Sequence, residues 1–245
     1  MKIIVVCGGS GYLGGEIIAA LAGANTKIVN ISSKEFGKQG LVDLQFLGDL
    51  TNAKWLAGVF QEIPTFFDNE IFAVLNFAGR SARKSDIPKK VSDTLSEMNH
   101  DLEIFLNIAT SFINFPHLFL PNARLIDIGS LWASSIPFTQ TYLDLGNEPD
   151  LSVIASKSAK KSLVRFFARD FGRLGFTVNQ ITPGWFPKPS ANPREDYIAG
   201  IVNRIPVGRI GVPRDLVSAY LMLLSENTTY VNGQEIIIDG GANIY

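Results

Sequence analysis

Residues Cys7 to Gly14 read Cys-Gly-Gly-Ser-Gly-Tyr-Leu-Gly and follow the apolar run Ile3-Ile4-Val5-Val6. Gly8, Gly11 and Gly14 give the spacing G-x-x-G-x-x-G between a strand-like and a helix-like segment. Glycines let a backbone approach a pyrophosphate closely, and the next helix offers unpaired N–H groups and a positive dipole end. The chemistry expected is dinucleotide binding, with Gly8, Ser10, Gly11, Tyr12, Leu13 and Gly14 as contacts. Ribose preference is set at the end of the second strand, where an acid bonds the 2′-hydroxyl of NAD and repels the 2′-phosphate of NADP. This chain has Asn30-Ile31-Ser32-Ser33-Lys34 there and no acid before Glu35. Two hydroxyls and the Lys34 cation suit a phosphate, so NADP(H) is expected in preference to NAD(H).

The elements that must position these residues alternate along the chain. Ile3–Cys7, Lys27–Ile31, Leu41–Leu47, Phe72–Phe77, Arg124–Ile128, Phe176–Thr182 and Glu235–Asp239 read as strands. Tyr12–Leu21, Ala53–Ile63, Val91–Phe112, Ser156–Gly172 and Pro213–Ser225 read as helices. Continuous apolar runs suit strands covered on both faces. The repeated βαβ pattern predicts an α/β fold, a Rossmann-type doubly wound parallel sheet of about seven strands with helices on both faces, in one domain over 1–245. The segments Ala133–Leu151 and Trp185–Arg194 are rich in proline, glycine and asparagine and read as loops. Both follow the carboxyl ends of strands, where open α/β sheets bind ligands. Trp132 just before the first, and Phe138, Tyr142, Trp185 and Phe186 within them, suit a flat or sugar-like small molecule, or simply fold the loops.

Bulk properties narrow the function. The chain has 245 residues, 46% hydrophobic and 18% charged, enough for a sizeable core. Its net charge is −1, so no basic field exists for nucleic acid. Cys7 is the one cysteine, and His100 and His117 stand 17 apart, so neither a disulfide nor a metal site is expected. Ile3–Cys7 is too short for a secretory core, and Ile104–Pro121 is broken by Asn107, Asn114, Pro116 and His117, reading as a helix end, a turn and a loop rather than a membrane span. A cytoplasmic protein is expected. Lys160, Lys161 and Arg165 read as a solvated helix face.

Taken in order, further motifs resemble the short-chain dehydrogenase/reductase family over essentially the whole chain. Gly48-Asp49-Leu50 is similar to its acidic turn at the adenine ring, and Asn76-Phe77-Ala78-Gly79 to its Asn-Asn-Ala-Gly motif. Ile128-Gly129-Ser130 ends a strand where the family's catalytic serine falls. Pro183-Gly184 resembles its cofactor-contacting turn. Ile210 to Asp215 and Asn232 to Gly241 resemble its C-terminal signature. The glycine spacing follows the extended branch, whereas the C-terminal part resembles the single-domain branch. The resemblance implies that Asp49, Leu50, Asn76, Ala78, Gly79, Pro183 and Gly184 contact cofactor. It also implies that Ser130 hydrogen-bonds the reacting oxygen, Lys157 binds the nicotinamide ribose, Asn99 holds a water, and chains pair through helices into a homodimer or homotetramer.

The same resemblance places a tyrosine four residues before Lys157 as the acid–base group. Position 153 is valine, which cannot donate or accept a proton. Three readings follow. The chain is a reductase using another acid, with Tyr142, 12 residues after Ser130, as one candidate and Ser156 or a water on Lys157 as others. Or it binds cofactor and catalyses little, as a sensor, scaffold or partner subunit. Or the pocket runs a different reaction.

Overall fold

A computed structural model describes residues 1–23, 25–79, 91–135, 151–189 and 195–244. The strands are β1 (Lys2–Cys7), β2 (Thr26–Ser32), β3 (Leu44–Leu47), β4 (Ile71–Asn76), β5 (Phe119–Ile128), β6 (Thr177–Pro183) and β7 (Glu235–Ile238). They form one sheet of seven strands in the order β3-β2-β1-β4-β5-β6-β7. Every pairing is parallel. The described helices are α1 (Tyr12–Leu21), α2 (Ala53–Phe67), α3 (Val91–Asn114), α4 (Leu151–Gly172), α5 (Glu195–Val202) and α6 (Val217–Leu224). The sheet is Rossmann-like and doubly wound, as the alternating pattern predicts. The strand order reverses between β1 and β4, which opens a crevice at their carboxyl ends.

Side-chain alternation divides the core. Ile3, Val5 and Cys7 of β1 join α2, α3 and α4 on one face, while Ile4 and Val6 join α1 and α6 on the other. The first face is aromatic: Phe112 stacks on Phe119 with centroids 4.0 Å apart and on Phe171 at 5.4 Å. Burial of Cys7 pushes its thiol well above the ordinary range.

Several boundaries differ from the sequence expectations. The third strand begins only at Leu44, because the Asp43 carboxylate turns back to accept the Ile28 N–H at 2.9 Å and pairs with Lys27. The fifth strand begins at Phe119, five residues early, inside a stretch that reads as loop. Its proline and asparagine coincide with a register shift against β4, so the pattern looks broken where the pairing continues. The second helix runs past Pro64 to Phe67. Pro213–Ser225 is a 3₁₀ turn, Pro213–Leu216, followed by α6. The Asp215 carboxylate, which accepts the Val212 N–H at 2.9 Å, caps that turn. The proline-rich stretch hides the start of α5 at Glu195.

Candidate active site

The β1–α1 turn is built to let backbone come close to something. Gly8 has φ +77°, and a Cβ there would lie 2.6 Å from the Ala78 nitrogen. A Cβ on Gly14 would lie 2.9 Å from the Gly9 Cα. Gly11, the N-cap of α1, carries no side-chain capping bond, so the helix start keeps its amide donors for an outside anion. Tyr12 and Leu13 follow, half-buried, on the first turn. This is a cradle that fits a pyrophosphate.

The end of β2 closes one side of the cradle. The Ser10 hydroxyl donates to the Lys34 carbonyl at 2.8 Å and accepts from the Asn30 amide at 3.0 Å. Ser32 is buried, while Ser33 and Lys34 are exposed beside the turn. Asp49 is exposed and spends its carboxylate locally, accepting the Thr51 N–H at 2.9 Å. That bond, first of all, holds the carboxyl below the usual range. Leu50 behind it is buried.

The turn after β4 links this cradle to a charged cluster. Asn76 is fully buried; its carbonyl accepts the Ala78 N–H at 3.1 Å and its amide donates to Asp127 at 2.7 Å. Gly79 follows at φ +138°, and a Cβ there would stand 3.1 Å from an Asp101 oxygen. Asp101, on α3, lies 3.6 Å from the Lys157 ammonium, and the Ser156 hydroxyl reaches the same carboxylate at 3.4 Å. The contiguous path Gly8, Ala78, Gly79, Asp101, Lys157 therefore joins the nucleotide cradle to the basic group on α4.

Lys157 has a side chain only 7% exposed. Burial foremost, and then the charge of Lys160, pull its ammonium down to about 8, against the opposing pull of Asp101 and Asp127. Val153 is buried one turn earlier on the same helix. Ser130 follows β5, half-buried, its hydroxyl oxygen accepting the Trp132 N–H at 3.3 Å and so capping a 3₁₀ turn. That turn packs on α4. It is also clamped through Ser134, whose hydroxyl donates to Glu235 at 2.8 Å while Lys161 pairs with Glu235 at 2.6 Å. Pro183 and Gly184 end β6, and a Cβ on Gly184 would lie 2.7 Å from the Asp239 Cα.

Two side chains stand elsewhere than expected. Asn99 is exposed; the α3 residue that faces Lys157 is Asp101. They are two apart, roughly 200° around a helix, so only one can face inward. Lys160 is not on a solvated face. It is fully buried against Asp127 at 2.8 Å, with Gln180 adding an amide bond to that carboxylate at 3.0 Å. In the sequence Asp101 is legible only as an acid two residues from Asn99, and Lys160 only as a lysine one turn beyond Lys157. Tyr142 lies outside the described residues. Among the described residues no cluster of His, Cys, Asp and Glu could hold a metal, and no helix is long and apolar enough to cross a membrane.

A family model described as Enoyl-(Acyl carrier protein) reductase matches residues 14–243. The chain belongs to the short-chain dehydrogenase/reductase family. This short-chain dehydrogenase/reductase is 27% identical to L-fucose dehydrogenase of Mus musculus, over 99% of this chain and 89% of that protein. It is 24% identical to 3-oxoacyl-(acyl-carrier-protein) reductase of Escherichia coli, over 98% of this chain and 96% of that one. Its relatives are thus oxidoreductases by name. Among solved structures it superposes on a short chain dehydrogenase from Leptospira borgpetersenii with bound NAD+ at TM-score 0.86, 21% identical, covering 98% and 92% of the two chains. A gluconate 5-dehydrogenase from Burkholderia cenocepacia in complex with NADP and tartrate superposes at 0.83, 20% identical, covering 100% and 96%. These two likenesses concern the fold.

Proposed function

We propose that this short-chain dehydrogenase/reductase is an NADP(H)-dependent oxidoreductase that interconverts a carbonyl and an alcohol on a small molecule. The observation that carries the reading is the contact path from the Gly8 turn through Ala78 and Gly79 to Asp101 and Lys157. It sets a dinucleotide cradle beside a buried cation at the strand ends, where a redox ring and a substrate must meet.

Gly8, Gly11 and Gly14 would hold the pyrophosphate and Ser33 and Lys34 the 2′-phosphate. Pro183 and Gly184 would line the nicotinamide end, where a bound nicotinamide supplies or accepts a hydride. Ser130 would donate its hydroxyl proton in a hydrogen bond to the reacting oxygen while its oxygen still accepts the Trp132 N–H, and Lys157 would orient the ribose. The named oxidoreductases among the relatives support the same class. Exposed Leu95, Leu106 and Ile113 on α3 and Phe166 on α4 support a homodimer or homotetramer through these helices. The even charge balance favours a cytoplasmic small-molecule enzyme.

Calorimetric titration with NADPH and, separately, NADH tests this. NADPH is expected to bind more tightly, and Lys34→Ala is expected to weaken NADPH about tenfold, the worth of one phosphate contact, while leaving NADH unchanged. Equal binding of both would remove the NADP preference, and binding of neither would remove the oxidoreductase reading. Val153 favours a second reading, a cofactor-binding protein with weak catalysis. Tight NADPH binding, no turnover over a broad carbonyl panel, and activity gained in Val153→Tyr would select it.

A further inference from the structure

We propose that the Lys157 ammonium is itself the proton donor to the reacting oxygen, with Asp101 holding it in place and Lys160 keeping it ready to release its proton. This rests on the oxidoreductase reading above and names the acid that reading leaves open. Four observations carry it. Val153, one turn before Lys157, fills the space against the helix with a group that carries no proton. Lys157 is nearly sealed from water, its side chain only 7% exposed. The Asp101 carboxylate, 3.6 Å away and also bonded by Ser156, fixes the ammonium on the side of Gly79, toward the cradle. Lys160 lies one helical turn on, with no exposed surface, and commits its own ammonium to Asp127 at 2.8 Å and to the Ile128 carbonyl at 3.5 Å.

Two buried ammonium groups on one face of a helix are unfavourable for both unless each has a counter-ion. Here the pairing is unequal. Lys160 sits in close contact with its carboxylate, whereas Lys157 keeps a looser one. A lysine desolvated beside a second cation becomes an effective acid–base group near neutral pH. Among the described residues, the charged groups that act on Lys157 are Asp101 on α3, Asp127 on β5 and Lys160 on α4. Glu97 on α3 faces the first turn of α4 and accepts the Ser152 hydroxyl at 2.9 Å. Burial foremost, and then Lys160, outweigh the two carboxylates and leave Lys157 at about 8.

The carbonyl carbon gains a hydride with its electron pair from a reduced nicotinamide, which is oxidised. The C=O π pair moves to oxygen, and that oxygen takes the proton of Lys157 Nζ. The amine left behind is recharged by water after the alcohol leaves. The reverse reaction needs the neutral amine as base.

The decisive experiment follows Lys157 Nζ by ¹⁵N NMR in the free protein, its signal assigned by loss in Lys157→Arg. A midpoint near 8 is expected. With NADPH and a carbonyl substrate, kcat/KM is expected to fall as pH rises through the same midpoint, and alcohol oxidation to rise through it. Lys160→Leu with Asp127→Asn then removes one buried cation and one buried anion together. The new amide can serve Gln180, whose carbonyl is otherwise without a partner, so the fold is kept. Because Lys160 acts on Lys157 more strongly than Asp127 does, the NMR midpoint and the kinetic limb are expected to move upward together. A midpoint near the ordinary 10.4 of a free lysine overturns the proposal, as does a kinetic limb that stays put while the NMR midpoint moves. NADPH binding with Ser130-dependent turnover would survive either result. Failure to bind NADPH and NADH would remove the underlying reading instead.

Discussion

At the β1–α1 turn the polar work falls to neutral backbone: Gly8, Gly11 and Gly14 clear the space, and the helix start offers amides without a charged side chain among them. At α4 it falls to full charges taken out of water: Lys157 with Asp101, and Lys160 with Asp127. A backbone cradle costs little to bury and binds an anion that arrives from outside. A buried ion pair is expensive to desolvate and stays only where each charge has its partner. The two regions should therefore tolerate different damage. The cradle should fail by loss of space and the helix by loss of balance.

Unbalancing the charges should have the largest effect. Lys160→Leu leaves Asp127 buried with amide donors but no cation, and is expected to cost about 3–5 kcal/mol in urea unfolding. Adding Asp127→Asn should return most of that loss; no recovery would show that Lys160 matters for packing rather than charge.

Filling the cradle comes next. Gly8→Ala forces a side chain into φ +77° and to 2.6 Å from the Ala78 nitrogen. The expected cost is about 1–2 kcal/mol of backbone strain, with a weakening of NADPH binding on the order of tenfold seen by calorimetry. Unchanged affinity would mean that the turn does not approach the cofactor.

The smallest effect, taken per pH unit, is a pH dependence of stability peculiar to the charged side. Lys157 is pulled down to about 8 in the folded chain, chiefly by burial, and returns to about 10.4 when unfolded. Between those values the unfolded chain keeps a proton that the folded chain has lost, so stability should rise with pH across the window, by up to about 1 kcal/mol per unit. Urea unfolding of the wild type and Lys157→Met from pH 7 to 10.5 checks it. Identical slopes would contradict the buried, depressed ammonium.

Much of the fold was legible because parallel strands covered on both faces are written as unbroken apolar runs. Lys2–Cys7, Ile71–Asn76 and Thr177–Pro183 are buried almost throughout and are easily read. The edge strand Leu44–Leu47 is only partly buried and blurs into Leu41 and Val42. The early part of β5 was hidden by Pro121 and Asn122, which look like loop but sit beside a register shift. The glycine cradle was legible for a different reason. A backbone conformation that excludes Cβ demands particular residue types at particular places, whatever surrounds it.

The charged cluster was not legible in that way. The sequence alone determined the order of motifs, the glycine turn, the hydroxyls and lysine after β2, Ser130 at a strand end and the valine at 153. Only the tertiary structure decided that Asp101 and not Asn99 turns toward Lys157, and that Lys160 leaves the solvent to meet Asp127. A helix places residues two apart on opposite sides and three apart on one. Which side faces inward depends on how α3 and α4 roll against each other and against β5, and that is settled by the packing of Phe105, Phe112, Phe167 and Phe171, of which Phe105 lies one turn beyond Asp101 with its ring 5.8 Å from the Lys160 ammonium.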